Sequence, residues 1–220
     1  MTTFESEIEL QRFLKEKVYS AVVSDVLDEY GYRNQVMRHD IRPIHPDFVV
    51  VGRARTAFWV NEYTERENPY ENEINLIDSL QQGEVTVHST DYSYQIATWG
   101  ELLSTASMLR GSTGAIVDSL TRDIKKIIQI GFPVFSRGIK PTDSKGRGYL
   151  LATDVPIMCG DITVNPGEIV LGDYDGVVVI PKQIEKEVIQ SCIEKIEGEN
   201  NTRRELYEGK TLAEVYEKYG

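Results

Sequence analysis

The stretch GAIVDSLTRDIKKIIQIGFPVFSRG, from Gly114 to Gly138, constrains the fold more than any other part of the chain. Its apolar run, polar break and amphipathic segment read as strand, turn, helix, strand, which places the chain in the α/β class. Arg122 and Asp123 stand side by side at the turn, after a strand read over Ala115–Val117, where neither can serve a core. In α/β proteins ligands collect outside the carboxyl ends of strands, and a helix start presents unpaired N–H groups to anions.

The same reading organises the rest of the chain. Phe4, Ile8, Phe13, Leu14 and Val18 fall at helical spacing, so the first twenty residues read as an amphipathic helix. SAVVSDVLDEYG reads as a second helix stopped by Gly31, and FVVVGRARTAFWV, Phe48 to Val60, as a strand. NEYTERENPYENE reads as a surface loop, INLIDSLQQG as a short helix, EVTVHS as a strand and GELLSTASMLRG as a helix between Gly100 and Gly111. PTDSKGRGYL reads as a polar loop. Val155 to Pro181 holds short apolar runs broken by Asn-Pro-Gly and Asp-Gly, hence strands and tight turns. KQIEKEVIQSCIEKIEGENNTRRELYEG and TLAEVYEKYG read as two closing helices. No repeat or linker interrupts the sequence, so we expect one α/β domain over 1–220 with helical ends at about 1–31 and 182–220.

Charge and composition narrow the function. A net charge of −11 argues against a broad nucleic-acid-binding surface, which needs clustered Lys and Arg. Cys159 and Cys192 lack CxxC or framework spacing and read as two reduced thiols. The N-terminus lacks a basic region followed by an apolar one, and no apolar run has the length of a membrane span. The expectation is a cytoplasmic protein with neither nucleic acid nor membrane as partner.

Glu101 occupies a place like that of Asp123 one unit earlier, since it follows Gly100 and opens a helix. Two acidic residues at adjacent helix starts, with an arginine, suit a divalent cation and an oxyanionic substrate together. Acidic residues also favour first helical turns for dipole reasons alone.

WGELLSTASMLRGSTGAIVDSLTRDIKKIIQIGFPVFSRGIKPTDSKGRG resembles the RraA-like family. That family contains the metal-dependent 4-hydroxy-4-methyl-2-oxoglutarate / 4-carboxy-4-hydroxy-2-oxoadipate aldolases and the regulator of ribonuclease activity A. The aldolase branch is marked by an acidic residue, twenty intervening residues, then Arg-Asp; Glu101 and Arg122-Asp123 fit that spacing. VSDVLDEYG, VVGRARTA, QQGEVTVHS, GFPVFSRG, PGEIVLGDYDGVVVIP and ENNTRRELYEGKTLAEVYEKYG extend the resemblance over nearly the whole chain. Two positions depart from the pattern: Glu101 stands where characterised aldolases usually carry Asp, and Ser119 where many relatives carry Gly, so its side chain is expected to narrow the pocket.

The resemblance implies a β/β/α swivelling-type sandwich with helical N- and C-terminal extensions. It also implies a class II lyase, with Mg²⁺ or Mn²⁺ in place of a Schiff-base lysine, that cleaves a 4-hydroxy-2-oxo acid or decarboxylates oxaloacetate through a pyruvate enolate. Its roles carry over to Asp123 as metal ligand, Glu101 as holder of metal-bound water, and Arg122 at the keto oxygen. Gly100 and the N–H groups of Leu102 and Leu103 would bind the substrate carboxylate. Glu199, matching a glutamate that the family brings from a neighbouring subunit, would serve the 4-hydroxyl. That role requires a homo-oligomer, in the family a homotrimer or a homohexamer built as a dimer of trimers. The alternative is a non-catalytic protein-binding regulator resembling the ribonuclease E activity inhibitor. An older methyltransferase label in the family finds no glycine-rich nucleotide loop here.

Other residues carry weaker signals. Arg137, Lys145 and Arg147 surround the PTDSKGRG loop, placed to cap the pocket and meet a second substrate carboxylate. His39, His45 and His88 show no metal-ligand spacing and read as structural. Asp173 and Asp175 in GDYDGVVV read as a hairpin turn. Trp99 reads as core or pocket wall.

Overall fold

Runs of β-branched residues set the strands, and the computed structural model describes residues 4–219 of the chain. Helices α1 (Glu7–Lys17) and α2 (Ser20–Glu29) lead into β1 (Arg42–Pro43) and the long β2 (Val50–Asn61). Then follow α3 (Glu71–Asp78), β3 (Glu84–Ser89), β4 (Ala97–Trp99), α4 (Glu101–Leu109), β5 (Gly114–Thr121), α5 (Ile124–Ile130) and β6 (Val134–Ile139). The second half runs β7 (Gly148–Thr153), β8 (Ile157–Cys159), β9 (Ile162–Val164), β10 (Ile169–Asp173), β11 (Gly176–Ile180), α6 (Glu185–Tyr207) and α7 (Leu212–Tyr219).

Nine strands form one mixed sheet in the order β1-β6-β5-β3-β2-β10-β11, with β4 added to β5 and β7 to β2. The β2-β3-β5-β6 stretch is parallel, as helical crossovers require, and β10 and β11 join as antiparallel strands. The sheet nearly closes on itself. Val36 bridges Val178, Met37 N donates to Val177 O at 2.8 Å, and Arg42 pairs with Ser136 on β6.

Alternation along each strand feeds separate cores. Val50, Ala54, Val85, Val87, Ile116, Phe135 and Val170 point inward to a core capped by the β8-β9 hairpin. Val51, Ile169, Leu171 and Val178 face Leu14, Val22, Val26, Val188 and Cys192 of the terminal helices. Ala115, Val117 and Val134 face Ile77 of α3, Leu80 just after it and Ile127 of α5.

Several boundaries differ from expectation. The first helix spans Glu7–Lys17 and is capped by Ser6, whose hydroxyl accepts from Glu9 N; Val18 and Tyr19 are extended and break it from α2. Phe4 lies before that cap, and residues 1–3 and 220 lie outside the described residues. α3 starts at Glu71, inside the expected loop, and β5 runs on to Thr121. Gly148, Tyr149 and Leu150 belong to β7, because they complete an antiparallel pairing with β2 that local sequence does not encode. The Asp-Gly turn joins β10 to β11 as expected, and Asp173 also accepts from Ser20 N and Oγ at the start of α2, at 2.7 and 2.6 Å. Among the described residues no helix is long and apolar enough to cross a membrane.

Candidate active site

β4 lies parallel to β5 with Trp99 opposite Thr121, and Arg122 N continues the pairing to Trp99 O at 3.0 Å. Both strands stop there, each followed by a helix. The residues just beyond them, Gly100-Glu101 and Arg122-Asp123, are therefore neighbours. Asp123 takes the left-handed backbone, with φ +62° and ψ +29°, a conformation Asp tolerates better than most residues. Its carboxylate does not cap its own helix. It accepts instead from Glu101 N at 3.3 Å, across the strand pair. Gly100 permits this approach, since a Cβ there would stand 2.9 Å from Asp123 Oδ2 and 3.3 Å from Arg122 Nε.

A cleft of about 410 Å³ opens at this junction. Gly100, Glu101, Leu102, Leu103, Arg122 and Asp123 all line it, so six of the seven residues to which the resemblance gives a site role are brought together. Helix geometry leaves the N–H groups of Leu102 and Leu103 without intrahelical acceptors. Arg122 Nη1 lies 3.4 Å from Asp143 and its Nε 3.8 Å from Asp123. Glu101 bends back to accept from Thr105 Oγ1 at 2.9 Å. Ser119 does not narrow the cleft, contrary to expectation. It is fully buried, and its hydroxyl bonds Thr98 Oγ1 at 2.7 Å, so it reaches the cleft only through Thr98 in the wall.

Glu199 sits apart from the cleft lining in this chain. Its carboxylate accepts from Tyr19 OH and faces Arg203 at 3.6 Å along α6. The basic residues near the polar loop are also engaged elsewhere. Lys145 pairs with Glu65 at 3.0 Å, and Arg147 donates to Asp143 O at 3.4 Å. Arg137 is buried against Asp118 and Ser93 O, because β6 points it behind the wall. Trp99 is core and wall at once: it stacks on Phe132, and its Nε1 donates to Ser104 Oγ at 2.8 Å. His88 is buried, accepting at Nδ1 from Trp59 Nε1 at 2.9 Å, and burial pushes its pKa down to about 3. The two cysteines are buried and free.

Three further cleft residues escape the sequence reading: Tyr70, Glu73 and Asp143. Tyr70 OH donates to Asp143 Oδ2 at 2.5 Å, and that bond, with burial, pushes the phenol up to about 12. Burial alone would raise the Asp143 carboxyl, but the Tyr70 hydroxyl and Arg122 outweigh it and hold it below its ordinary value. Glu73, 8% exposed, accepts from Ser144 Oγ at 3.0 Å. Burial pushes its pKa up to about 7; Asp143 adds to the rise while the Ser144 bond and Arg122 oppose it. A signal for Glu73 exists in the sequence: with Leu76, Ile77 and Leu80 it completes an i, i+3, i+4, i+7 stripe, a charge on a buried face.

Asp123 offers a hard oxygen donor. Its side chain is 43% exposed at the cleft mouth and takes one backbone N–H as hydrogen-bond donor. Among the described residues no three His, Cys, Asp or Glu side chains converge on one point. A cation that keeps most of its water and takes few protein carboxylates, such as Mg²⁺, fits such a donor.

Comparison with known proteins agrees with this architecture. The RraA-like family model, described as Aldolase/RraA, matches residues 20–179. The Legionella pneumophila protein DlpA is 29% identical over 203 residues, covering 91% of this chain but 32% of its own length, so this chain spans about a third of that relative. A Halalkalibacterium halodurans protein named "Putative 4-hydroxy-4-methyl-2-oxoglutarate aldolase" is 31% identical over 79% of this chain and 77% of its own. The crystal structure of Streptomyces coelicolor RraAS2, titled an unusual member of the RNase ES inhibitor RraA protein family, superposes with a TM-score of 0.79 at 27% identity. It covers 92% of this chain and 99% of that one. The chain belongs to the RraA-like family.

Proposed function

We propose that this member of the RraA-like family is a divalent-metal-dependent carbon–carbon lyase acting on 2-oxo acids in the cleft between β4, β5 and α3. One observation carries the proposal: parallel pairing of β4 with β5 sets the Asp123 carboxylate and the Arg122 guanidinium beside the start of α4 in the lining of one cleft. The Halalkalibacterium relative's name supports an aldolase of this kind.

Asp123 would hold Mg²⁺ or Mn²⁺, and such a cation, when bound, supplies a Lewis acid for a keto oxygen. The N–H groups of Leu102 and Leu103 bind the substrate carboxylate, favoured by the helix dipole. Gly100 leaves room for the oxygens beside them. Arg122 donates to the keto oxygen and stabilises the charge that develops there as C3–C4 breaks. Glu101, steadied by Thr105, orders water at the mouth. The 4-hydroxyl proton leaves to a base, the C3–C4 electron pair becomes the pyruvate enolate, and protonation at C3 completes pyruvate. Glu199 of a neighbouring subunit, in a trimer or dimer of trimers, would take that proton through water.

A regulatory role, suggested by the Streptomyces relative's title, would need no carboxylate–arginine pair in a cleft. The deciding experiment measures pyruvate release from oxaloacetate and 4-hydroxy-4-methyl-2-oxoglutarate with Mg²⁺, with Mn²⁺ and with EDTA. Metal-dependent pyruvate is the expected result. Its absence from these and from other 4-hydroxy-2-oxo acids would overturn the proposal and favour a binding protein.

A further inference from the structure

Glu73 is a carboxyl of the cleft lining to which none of the roles above is given. Helix α3 carries it on the face of Leu76 and Ile77, so it lines the cleft while only 8% exposed. Ser144 Oγ donates to its Oε1 at 3.0 Å, and among the described residues Oε2 has no hydrogen-bond partner. An ionised oxygen without a donor is costly in so dry a place, so the carboxyl tends to keep its proton.

The other carboxylates of the lining are committed. Asp143 accepts from Tyr70 OH and faces Arg122 at 3.4 Å, and these two hold its carboxyl below the ordinary value despite burial. Asp123 accepts from Glu101 N, and Glu101 accepts from Thr105 Oγ1. Ser144, which holds Glu73, follows Asp143, which faces Arg122, so Glu73 and Arg122 meet the same corner of the polar loop. With Arg122 at the keto oxygen of carbon 2, carbon 3 is one bond from the atom held at that corner.

We propose that Glu73 is the catalytic acid of this cleft, delivering a proton from Oε2 to carbon 3 of the pyruvate enolate. This rests on the lyase reading above and names the donor for its last step. The O–H bond of Glu73 breaks, the enolate π pair forms the new C3–H bond, and the C2–O bond becomes the keto group. Water then returns a proton to the carboxylate. Run backward, ionised Glu73 removes a methyl proton from pyruvate. Burial pushes the Glu73 pKa up to about 7, and a proton-transfer group is most effective when its pKa lies near the working pH.

The test is exchange of the pyruvate methyl protons for deuterium in D₂O, read by proton NMR on the full chain with Mg²⁺, beside pyruvate release from oxaloacetate. The wild type should exchange them, at a rate that rises with pH through about 7. Of the groups facing Glu73, Tyr70 titrates at about 12, Asp143 lies below the ordinary carboxylate range and Arg122 stays charged, so none of these supplies that limb. Glu73→Gln keeps an acceptor for Ser144 and should slow exchange by about a hundredfold or more. Ser144→Ala deletes a bond that lowers the Glu73 pKa, so it should move the limb to higher pH, which a merely structural role would not do. That variant decides the matter if Glu73→Gln does not fold or no longer binds pyruvate in calorimetry. Exchange at the wild-type rate in folded Glu73→Gln, an unmoved limb in Ser144→Ala, or a wild type that releases pyruvate without exchanging its methyl protons overturns the inference and leaves the lyase reading standing. Exchange that depends on Glu73, without cleavage of oxaloacetate or of any 4-hydroxy-2-oxo acid, supports the role at carbon 3 and overturns the lyase reading. Neither exchange nor cleavage overturns both.

Discussion

The backbone N–H of Glu101 donates to the Asp123 carboxylate at 3.3 Å, although 22 positions of sequence separate the two residues. Parallel register explains the distance. Trp99 lies opposite Thr121, so each residue two steps beyond its strand meets its counterpart at the same height. The acidic-twenty-Arg-Asp spacing is thus the length of one helix and return strand, and it places a carboxylate, an arginine and a helix start at one point.

Replacing Asp123 by Asn should remove metal-dependent pyruvate release, by about a hundredfold or more, because it deletes the one carboxylate placed to hold the cation. Asn is chosen over Ala because it accepts the left-handed backbone and keeps an acceptor for Glu101 N. The melting temperature should stay within a few degrees, since the side chain is 43% exposed. An active Asp123→Asn protein would show that the cation, if needed, sits elsewhere.

Gly100→Ala tests the close approach rather than the charge. A Cβ at 2.9 Å from Asp123 Oδ2 must push the carboxylate aside. Displacements of this order in a reacting constellation cost about tenfold to a hundredfold in kcat/KM. Circular dichroism should be unchanged, because Gly100 is extended and its backbone suits any residue. Wild-type kinetics in this variant would mean that the Gly100–Asp123 contact is dispensable.

Glu73 should make the protein less stable in base. Its pKa is pushed from 4.5 to about 7 in the folded state, so between those values the folded protein binds more protons than the unfolded one. Stability from this group is full below about pH 4.5 and lost as pH rises through 7, about 3 kcal/mol in all. The facing groups, Asp143, Arg122, Tyr70 and Ser144, remain in place in Glu73→Gln. That variant should therefore exceed the wild type in urea midpoint at pH 8 and match it near pH 4. Equal midpoints at pH 8 would mean that Glu73 is solvated.

His88 acts in the opposite direction. Its pKa is pushed down to about 3 by burial, so below 6.5 the unfolded chain takes up a proton that the folded chain refuses. Stability from this group is present above pH 6.5 and is lost as pH falls toward 3. Proton-detected NMR should find its imidazole neutral at pH 5. A protonated signal there would contradict the buried Trp59–His88 pair.

Much of this protein is written locally. The β-branched runs of β2, β3 and β11, the Asp175-Gly176 turn and the helix stop at Gly31 are short-range statements, and the structure keeps them. The spacing of Glu101 and Arg122-Asp123 also carries the heart of the site, because parallel strand, helix and strand fix that distance. Tertiary structure alone decided the opposite wall. Glu73 became a cleft residue because α3 starts at Glu71 and turns its Leu76–Ile77 face to the core, carrying the carboxyl inward. Asp143 and Ser144 arrived because β7 pairs antiparallel with the far end of β2, drawing the polar loop over the mouth. Which helix face is buried, and which loop lies over a strand end, depends on pairings between segments distant in sequence. No window of local residues contains that free energy.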